Sequence, residues 1–326
     1  MIFLGIDAGG TKSILSLCDE TGQVLSALRR PPISFLALGK EGLREALEKD
    51  TRDVLREAKL LSDKPLCQQL LAFCYGAPGH GESTAGDAAV AQAVKDIFGD
   101  IPTLICNDAQ VAWAGSCALR PGINILAGTG AMAFGMDAHG NTARCGGWGH
   151  FFADEGSGYW LGMRMLSLFC KEADGRLPRG ALYTLVREKF KLNNDFEIVD
   201  VMREEYLPHR SQVASLQLLL LEAARAGDEN AILAYREAGE EIAQNVRGIL
   251  SRLDFPPGTD VAYSGGIFKT GELVMQSFRQ SLETLHCKVV HPLAPPWTGA
   301  LMLALDCAGR ATPQALNRLI EAGKEE

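Results

Sequence analysis

The chain of 326 residues has no apolar run near 18 residues; its richest patch, LQLLLLEAA at 216–224, is soon closed off by charge. A membrane-spanning helix needs about 20 predominantly apolar residues, so none is expected and no membrane partner with it. Nor is there a Cys-x-x-Cys pair. The nine cysteines (18, 67, 74, 106, 117, 145, 170, 287 and 307) stand singly, an arrangement that does not suit a zinc ribbon or a metal cluster. Most lie in apolar runs such as LAFCYG and LICND, where a thiol behaves as a small hydrophobe. The start, MIFLGIDAGG, meets glycine and aspartate within seven residues, unlike a secretory signal. With an odd cysteine count, this points to a reducing cytoplasm. No basic run offsets the net charge of −8, so a nucleic-acid partner is not expected. A GxxxxGK[ST] phosphate loop is also missing.

What is present has the composition of a globular protein, 47% hydrophobic and 22% charged. The length suggests two domains at about 100–200 residues each, both large enough for a real core. IFLGIDAGGTKSILSLCDETGQVLS reads as strand, tight glycine turn, strand, turn, strand. Further on, Leu43–Lys59 and Gly86–Ile97 look helical, LLAFCYG and PTLICND strand-like, and AQVAWAGSCAL helical. Amphipathic stretches at about 212–227 and 229–253 follow. DVAYSGGIF returns to strand and turn, and KTGELVMQSFRQSL to helix. Strands alternating with helices mean an α/β fold.

The N-terminal hairpin has a second copy in INILAGTGAMAFGMDAHGNTAR. Gly10-Thr11 lies 118 residues before Gly128-Thr129, and Asp19 and Gly22 lie 118 residues before Asp137 and Gly140. The register indicates a duplication; chance similarity of two glycine-rich hairpins is the alternative. Each Gly/Thr turn exposes backbone N–H groups and one hydroxyl, enough to cradle phosphate without a classical loop.

Two other features carry chemistry. RCGGWGHFFADEGSGYW, residues 144–160, holds five glycines and two tryptophans. Close backbone approach beside flat aromatic walls suggests a pocket. Asp108 follows the strand PTLICN and begins the helix AQVAWAGS. Ligands gather at the C-terminal ends of strands in open α/β sheets, and a carboxylate there can act as general base. Equally, it can be a helix N-cap.

DAGGTKS, NDAQ, ILAGTG, CGGWGHFFADEGSGYW and AYSGGIF occur in the order seen in N-acetylglucosamine kinases. The chain thereby resembles, nearly end to end, the BadF/BadG/BcrA/BcrD ATPase group of the sugar kinase–Hsp70–actin superfamily. The resemblance implies two ribonuclease-H-like (actin-like ATPase) α/β domains with a central cleft, at 1–116 and 117–326, the second enlarged by helices. It implies ATP, with Gly10, Thr11 and Lys12 at one phosphate hairpin, and Gly128 and Thr129 at the other. Ala214, Gly265 and Gly266 match the adenosine site, and Asp7 matches the position that holds Mg²⁺ through water. Asp108 matches the base. Ser34, Gly76, Asp108, Gly147, Trp148, Gly149 and Asp154 match sugar contacts. His150 and Glu155 would hold the loop, and Tyr159 and Trp160 would be core.

The chain departs from the pattern at Ser34 and Leu36, where relatives acting on N-acetylglucosamine carry Asn and Trp, so the sugar stays open. A homodimer is the family expectation. The expected activity is transfer of the γ-phosphoryl group of ATP to an amino sugar. One alternative is an activator of 2-hydroxyacyl-CoA dehydratases, which carry a cysteine just before the GTG turn; Ile123–Ala127 has none. The other is a non-catalytic sugar sensor.

Overall fold

The computed structural model describes residues 1–324. It holds two five-stranded sheets with helices packed on them. In the first, β1 (Ile2–Ala8), β2 (Ser13–Asp19), β3 (Val24–Arg30), β4 (Ala72–Gly76) and β5 (Thr103–Cys106) lie in the order β3-β2-β1-β4-β5. β1, β2 and β3 form an antiparallel meander, and β4 and β5 extend β1 in parallel. This is the ribonuclease-H-like order.

Side chains alternate across a strand, and the two faces of β1 show it. Leu4, Ile6 and Ala8 join a core with Leu15, Leu17, Phe73 and Tyr75. That core is sealed by Leu43, Leu47, Val54 and Leu55 of α1 (Phe35–Glu57), and by Val90, Ala93, Val94 and Phe98 of α2 (Thr84–Phe98). On the opposite face, a Cβ on Gly5 would come within 2.7 Å of the Leu301 backbone, so glycine is what lets a helix lie flat there. α3 (Asp108–Cys117) is buried on nearly every side.

The second sheet contains β6 (Gly122–Ala127), β7 (Ala131–Met136), β8 (Thr142–Gly146), β9 (Asp260–Ser264) and β10 (Lys288–Val290), in the order β10-β9-β6-β7-β8. That is the first sheet's order over again. β7 and β8 begin 118 residues after β2 and β3, and the duplication extends to individual hydrogen bonds. Asp19 Oδ1 accepts from the backbone of Thr21 and Gln23, and Asp137 Oδ1 accepts from His139 and Asn141. In both turns the glycine, Gly22 or Gly140, has φ near +80° and donates back to its aspartate's carbonyl. Chance similarity does not reproduce a turn bond for bond.

The main helices of this half are α4 (Gly158–Ala173), α5 (Ala181–Phe190), α6 (Arg210–Ser215), α7 (Gln217–Arg225), α8 (Glu229–Leu250) and α9 (Glu272–Thr284). The amphipathic stretch at 212–227 is therefore two helices, and α1 begins eight residues before Leu43, with a non-helical break at Gly39.

The last helices are α10 (Pro296–Cys307) and α11 (Pro313–Ala322). The chain divides into two compact units, Met1–Asn124 with Phe134–Thr142 and Val290–Glu326, and Ile125–Ala133 with Ala143–Val289. A single boundary at 116/117 does not foresee the return of α10 to the first sheet. Its reason is steric: Gly5 faces Ala300 and Leu301, and Ser16 Oγ donates to the Trp297 carbonyl at 3.4 Å. Among the described residues, no helix is long and apolar enough to cross a membrane.

Candidate active site

In the first unit, parallel pairing sets several of the expected site residues at one edge. Asp7 is level with Gly76, and Gly76 with Cys106, whose carbonyl accepts from Ala77 at 2.7 Å. Asn107 and Asp108 follow directly. The hairpin Gly9–Lys12 springs from the same end of β1 and closes with Gly9 N–H donating to the Lys12 carbonyl at 2.8 Å. Gly10, Thr11 and Lys12 are exposed. Asp7 is partly buried, and loss of solvent pushes its carboxyl up to about 6, with Lys12 opposing. A carboxylate is thus held beside a lysine at the foot of a solvent-facing glycine turn.

Asp108 opens α3, but it is not the cap. Asn107 has the extended backbone of an N-cap, and its side chain accepts from Ala109 N–H at 3.0 Å. Its amide also donates to the His80 carbonyl at 3.1 Å, tying the loop after β4 to the helix. The capping alternative for Asp108 therefore falls away, because its neighbour performs that task. Asp108 stands in the first turn, where the helix dipole favours the ionised form. Gly76 is glycine for a packing reason: a Cβ would meet Val111 Cγ2 at 2.4 Å, so its absence lets α3 settle against β4. Ser34 is buried and caps α1, accepting from Ala37 N–H at 3.2 Å. It sits beside Ile33, whose N–H donates to Ser13 Oγ and whose carbonyl accepts from Tyr75. Of Leu36, only its place in α1 is described.

The second unit gathers its own set around the hairpin Gly128–Gly130. Gly158 donates to the Gly128 carbonyl at 2.8 Å and Tyr159 to Thr129 at 3.2 Å, so the hairpin rests on the start of α4. Ala214 lies alongside, since a Cβ on Gly158 would reach its Cβ at 3.4 Å. Gly265, at φ +104°, packs on the Ala127 carbonyl, where a side chain would clash at 2.2 Å. Around both Gly128 and Gly266 an added Cβ would meet nothing within 4 Å. These are the open places beside the hairpin.

The glycine-aromatic loop is pinned to this hairpin's far end. Gly147 N–H donates to Ala131 O at 3.2 Å, and Asp154 Oδ1 accepts from Ala131 N–H at the same distance. Gly146, Gly147 and Gly149 all have positive φ, which presents Trp148 to solvent, 73% exposed. His150 packs edge-on against Tyr159, ring centroids 4.6 Å apart. Burial and the charge of Arg210 pull its pKa down, against Asp154. Tyr159 is buried and Trp160 stacks under Arg164. Asp154 is 2% exposed, and its second oxygen takes a hydrogen bond from Arg210 at 2.5 Å, so each oxygen has a partner within the unit. Asn107 and Arg210 are the residues that sequence reasoning missed. Asn107 was legible in principle as the residue preceding a helix, whereas a lone arginine in a helical stretch gives no signal.

Residues 4–304 match the model of the BadF/BadG/BcrA/BcrD ATPase family. The N-acetylmuramic acid/N-acetylglucosamine kinase of Clostridium acetobutylicum is 26% identical over 88% of this chain and 92% of its own. The N-acetyl-D-glucosamine kinase of Dictyostelium discoideum is 27% identical over 94% and 98%. A solved structure from Chromobacterium violaceum, a candidate N-acetylglucosamine kinase, superposes with a TM-score of 0.76 at 24% identity, covering 93% of this chain and 98% of that one, and so shares the fold. The chain belongs to the BadF/BadG/BcrA/BcrD ATPase family.

Proposed function

We propose that this protein is an ATP-dependent kinase of amino sugars, passing the γ-phosphoryl group of ATP to a hydroxyl of N-acetylglucosamine or a related hexosamine. The observation that carries the reading is the place of Asp108. It follows β5 directly and stands in the first turn of α3, at the strand edge where Asp7 and Gly76 are level and where a base is needed. The amino-sugar kinases named among its relatives support the substrate class.

In this reading Asp108 accepts the proton of the attacking hydroxyl, a step worth about 10²–10⁴-fold. The turns Gly10–Lys12 and Gly128–Thr129 hold phosphate through backbone N–H groups. Ala214, Gly265 and Gly266 flank the adenosine, and the spaces beside Gly128 and Gly266 are consistent with that role. In the second unit Trp148 offers its ring to the sugar's C–H face beside Gly147, Gly149 and Asp154; Ser34 and Gly76 are the acceptor contacts proposed for the first unit. Phosphoryl transfer is mainly a matter of such positioning.

Magnesium fits through Asp7. Among the described residues, no group of three or more His, Cys, Asp or Glu side chains could cage a metal. Magnesium needs none, because it keeps several waters and binds through one or two carboxylates plus substrate phosphates. When bound, it would neutralise phosphate charge. We further propose a cytoplasmic homodimer that meets neither nucleic acid nor membrane.

The test is ADP release with Mg-ATP across a panel containing N-acetylglucosamine, glucosamine, N-acetylmuramic acid and glucose. Turnover with at least one amino sugar, above the sugar-free rate by tenfold or more, is expected. Hydrolysis indifferent to every sugar would overturn the proposal.

A further inference from the structure

We infer that Arg210 is a positioning residue that links the nucleotide's phosphates to Asp154, holding the sugar carboxylate in reserve until a nucleotide arrives. The inference rests on the kinase reading above. Arg210, first residue of α6, stretches one guanidinium over two groups with different proposed roles. Its Nη2 donates to Asp154 Oδ2, and it lies so near the hairpin that a Cβ on Gly130 would come within 2.2 Å of it. The same Cβ would stand 3.0 Å from both Asp154 oxygens. Hairpin, carboxylate and guanidinium therefore meet at one point.

Three features of that point argue for more than a structural ion pair. Asp154 is held at φ +63°, a left-handed conformation uncommon for a residue other than glycine, so the loop sets the carboxylate here against backbone preference. It is 2% exposed, with Ala131 N–H on one oxygen and Arg210 across the other, which leaves it poorly placed to receive a sugar hydroxyl. Meanwhile Arg210 Nε is buried with no hydrogen-bond partner. A buried donor left unmade is costly, and an anionic oxygen at the hairpin would satisfy it. The guanidinium is a planar fork of five donors suited to phosphate and carboxylate alike. Phosphate carries the greater charge. Seated at Gly128–Gly130, it would draw the fork from Asp154 Oδ2 and free that oxygen for the acceptor. Nucleotide and sugar would then strengthen each other's binding by the same factor, as linkage requires.

The experiment is calorimetry on wild type, Arg210→Gln and Arg210→Lys. Each is titrated with Mg-AMP-PNP alone, and with N-acetylglucosamine (or the best-used sugar of the panel) in the absence and presence of Mg-AMP-PNP. In wild type the analogue is expected to tighten sugar binding at least about fivefold, the lower range of measured couplings. In Arg210→Gln that ratio should fall to about one, sugar binding alone should not weaken, and Mg-AMP-PNP should bind about tenfold more weakly. Lysine, which keeps the charge but not the fork, should recover part of the nucleotide affinity. A folded Arg210→Gln protein with the wild-type ratio, or a wild-type ratio of one, overturns the inference. If glutamine prevents folding, the lysine variant decides: full retention of the wild-type ratio sinks the idea, and a reduced ratio supports it. Turnover on the panel with an unaltered ratio removes Arg210 alone. Absence of turnover with weakened Mg-AMP-PNP binding removes the kinase reading and leaves Arg210 as a phosphate contact.

Discussion

Replacing Asp7 with asparagine should make the metal-free protein more stable at neutral pH while impairing its use of Mg-ATP. Burial raises the Asp7 carboxyl from its ordinary 3.8 to about 6. Each tenfold change in proton affinity is worth about 1.4 kcal/mol, so the ionised carboxylate costs the folded state about 2–3 kcal/mol. The lower figure allows for the part of the side chain that still meets solvent. The folded pKa lies above the unfolded one. The group's contribution is therefore favourable at low pH, declines from about pH 4 upward, and is wholly lost once pH passes about 6. Asparagine keeps the shape without the charge. Urea unfolding in EDTA, followed by tryptophan fluorescence, should give near-equal stability for the two proteins at pH 4 and an advantage of about 2–3 kcal/mol for Asp7→Asn at pH 7.5. Adding Mg-ATP should stabilise wild type more than the variant. An asparagine protein no more stable than wild type at pH 7.5, or one whose advantage is the same at pH 4, would refute the assignment of a destabilising charge.

Asp108→Asn should keep its melting temperature, since Asn107 supplies the cap, while kcat falls about 10²–10⁴-fold; near-normal kcat would remove Asp108 from the mechanism. Gly76→Ala should destabilise by about 1–3 kcal/mol through overpacking against Val111, read by urea midpoint, and the companion Val111→Ala should relieve most of it. Trp148→Ala, at a solvent-facing ring, should leave stability within about 0.5 kcal/mol and raise the sugar KM without raising the ATP KM. Purified protein should be colourless and free of iron by colorimetric assay, because Ile123–Ala127 supplies no cysteine ligand.

The legible parts of the molecule are those governed by local pattern. The alternation in IFLGIDA and SILSLCD, the turn residues at Asp19–Gly22, and their copy 118 residues on could be read because period and turn chemistry act within a few residues. The structure reproduces them to the individual hydrogen bond. What escaped depends on contacts distant in sequence. Nothing local in PWTGALMLALDC says that it returns almost 300 residues to lie on Gly5. The cap at α3 was missed by one place because Asn and Asp serve equally well there. Asp154 stands in a loop that its glycines and aromatics mark out, but its burial and its bond to Arg210, 56 residues away, are visible only after folding. Ser34 likewise reads as a hydroxyl in a loop until the helix it caps is seen.

The return of α10 to the first sheet has a consequence for how the chain is made. The face of β1 and β2 bearing Phe3, Gly5 and Ser16 is covered by Pro296–Cys307, so the first unit cannot be completed when its own strands leave the ribosome. The roughly 170 residues from Asn124 to Pro296 require about 10–30 s of synthesis at about 5–20 residues per second. Helix and hairpin formation take microseconds, so the nascent N-terminal sheet must wait, half sealed, for a time millions of times longer than its local folding steps. The second unit, continuous from Ala143 to Val289 apart from the short hairpin segment Ile125–Ala133 already synthesised, is free to close first. The later-made segment then finishes the earlier-made sheet, reversing the usual N-to-C order of domain folding.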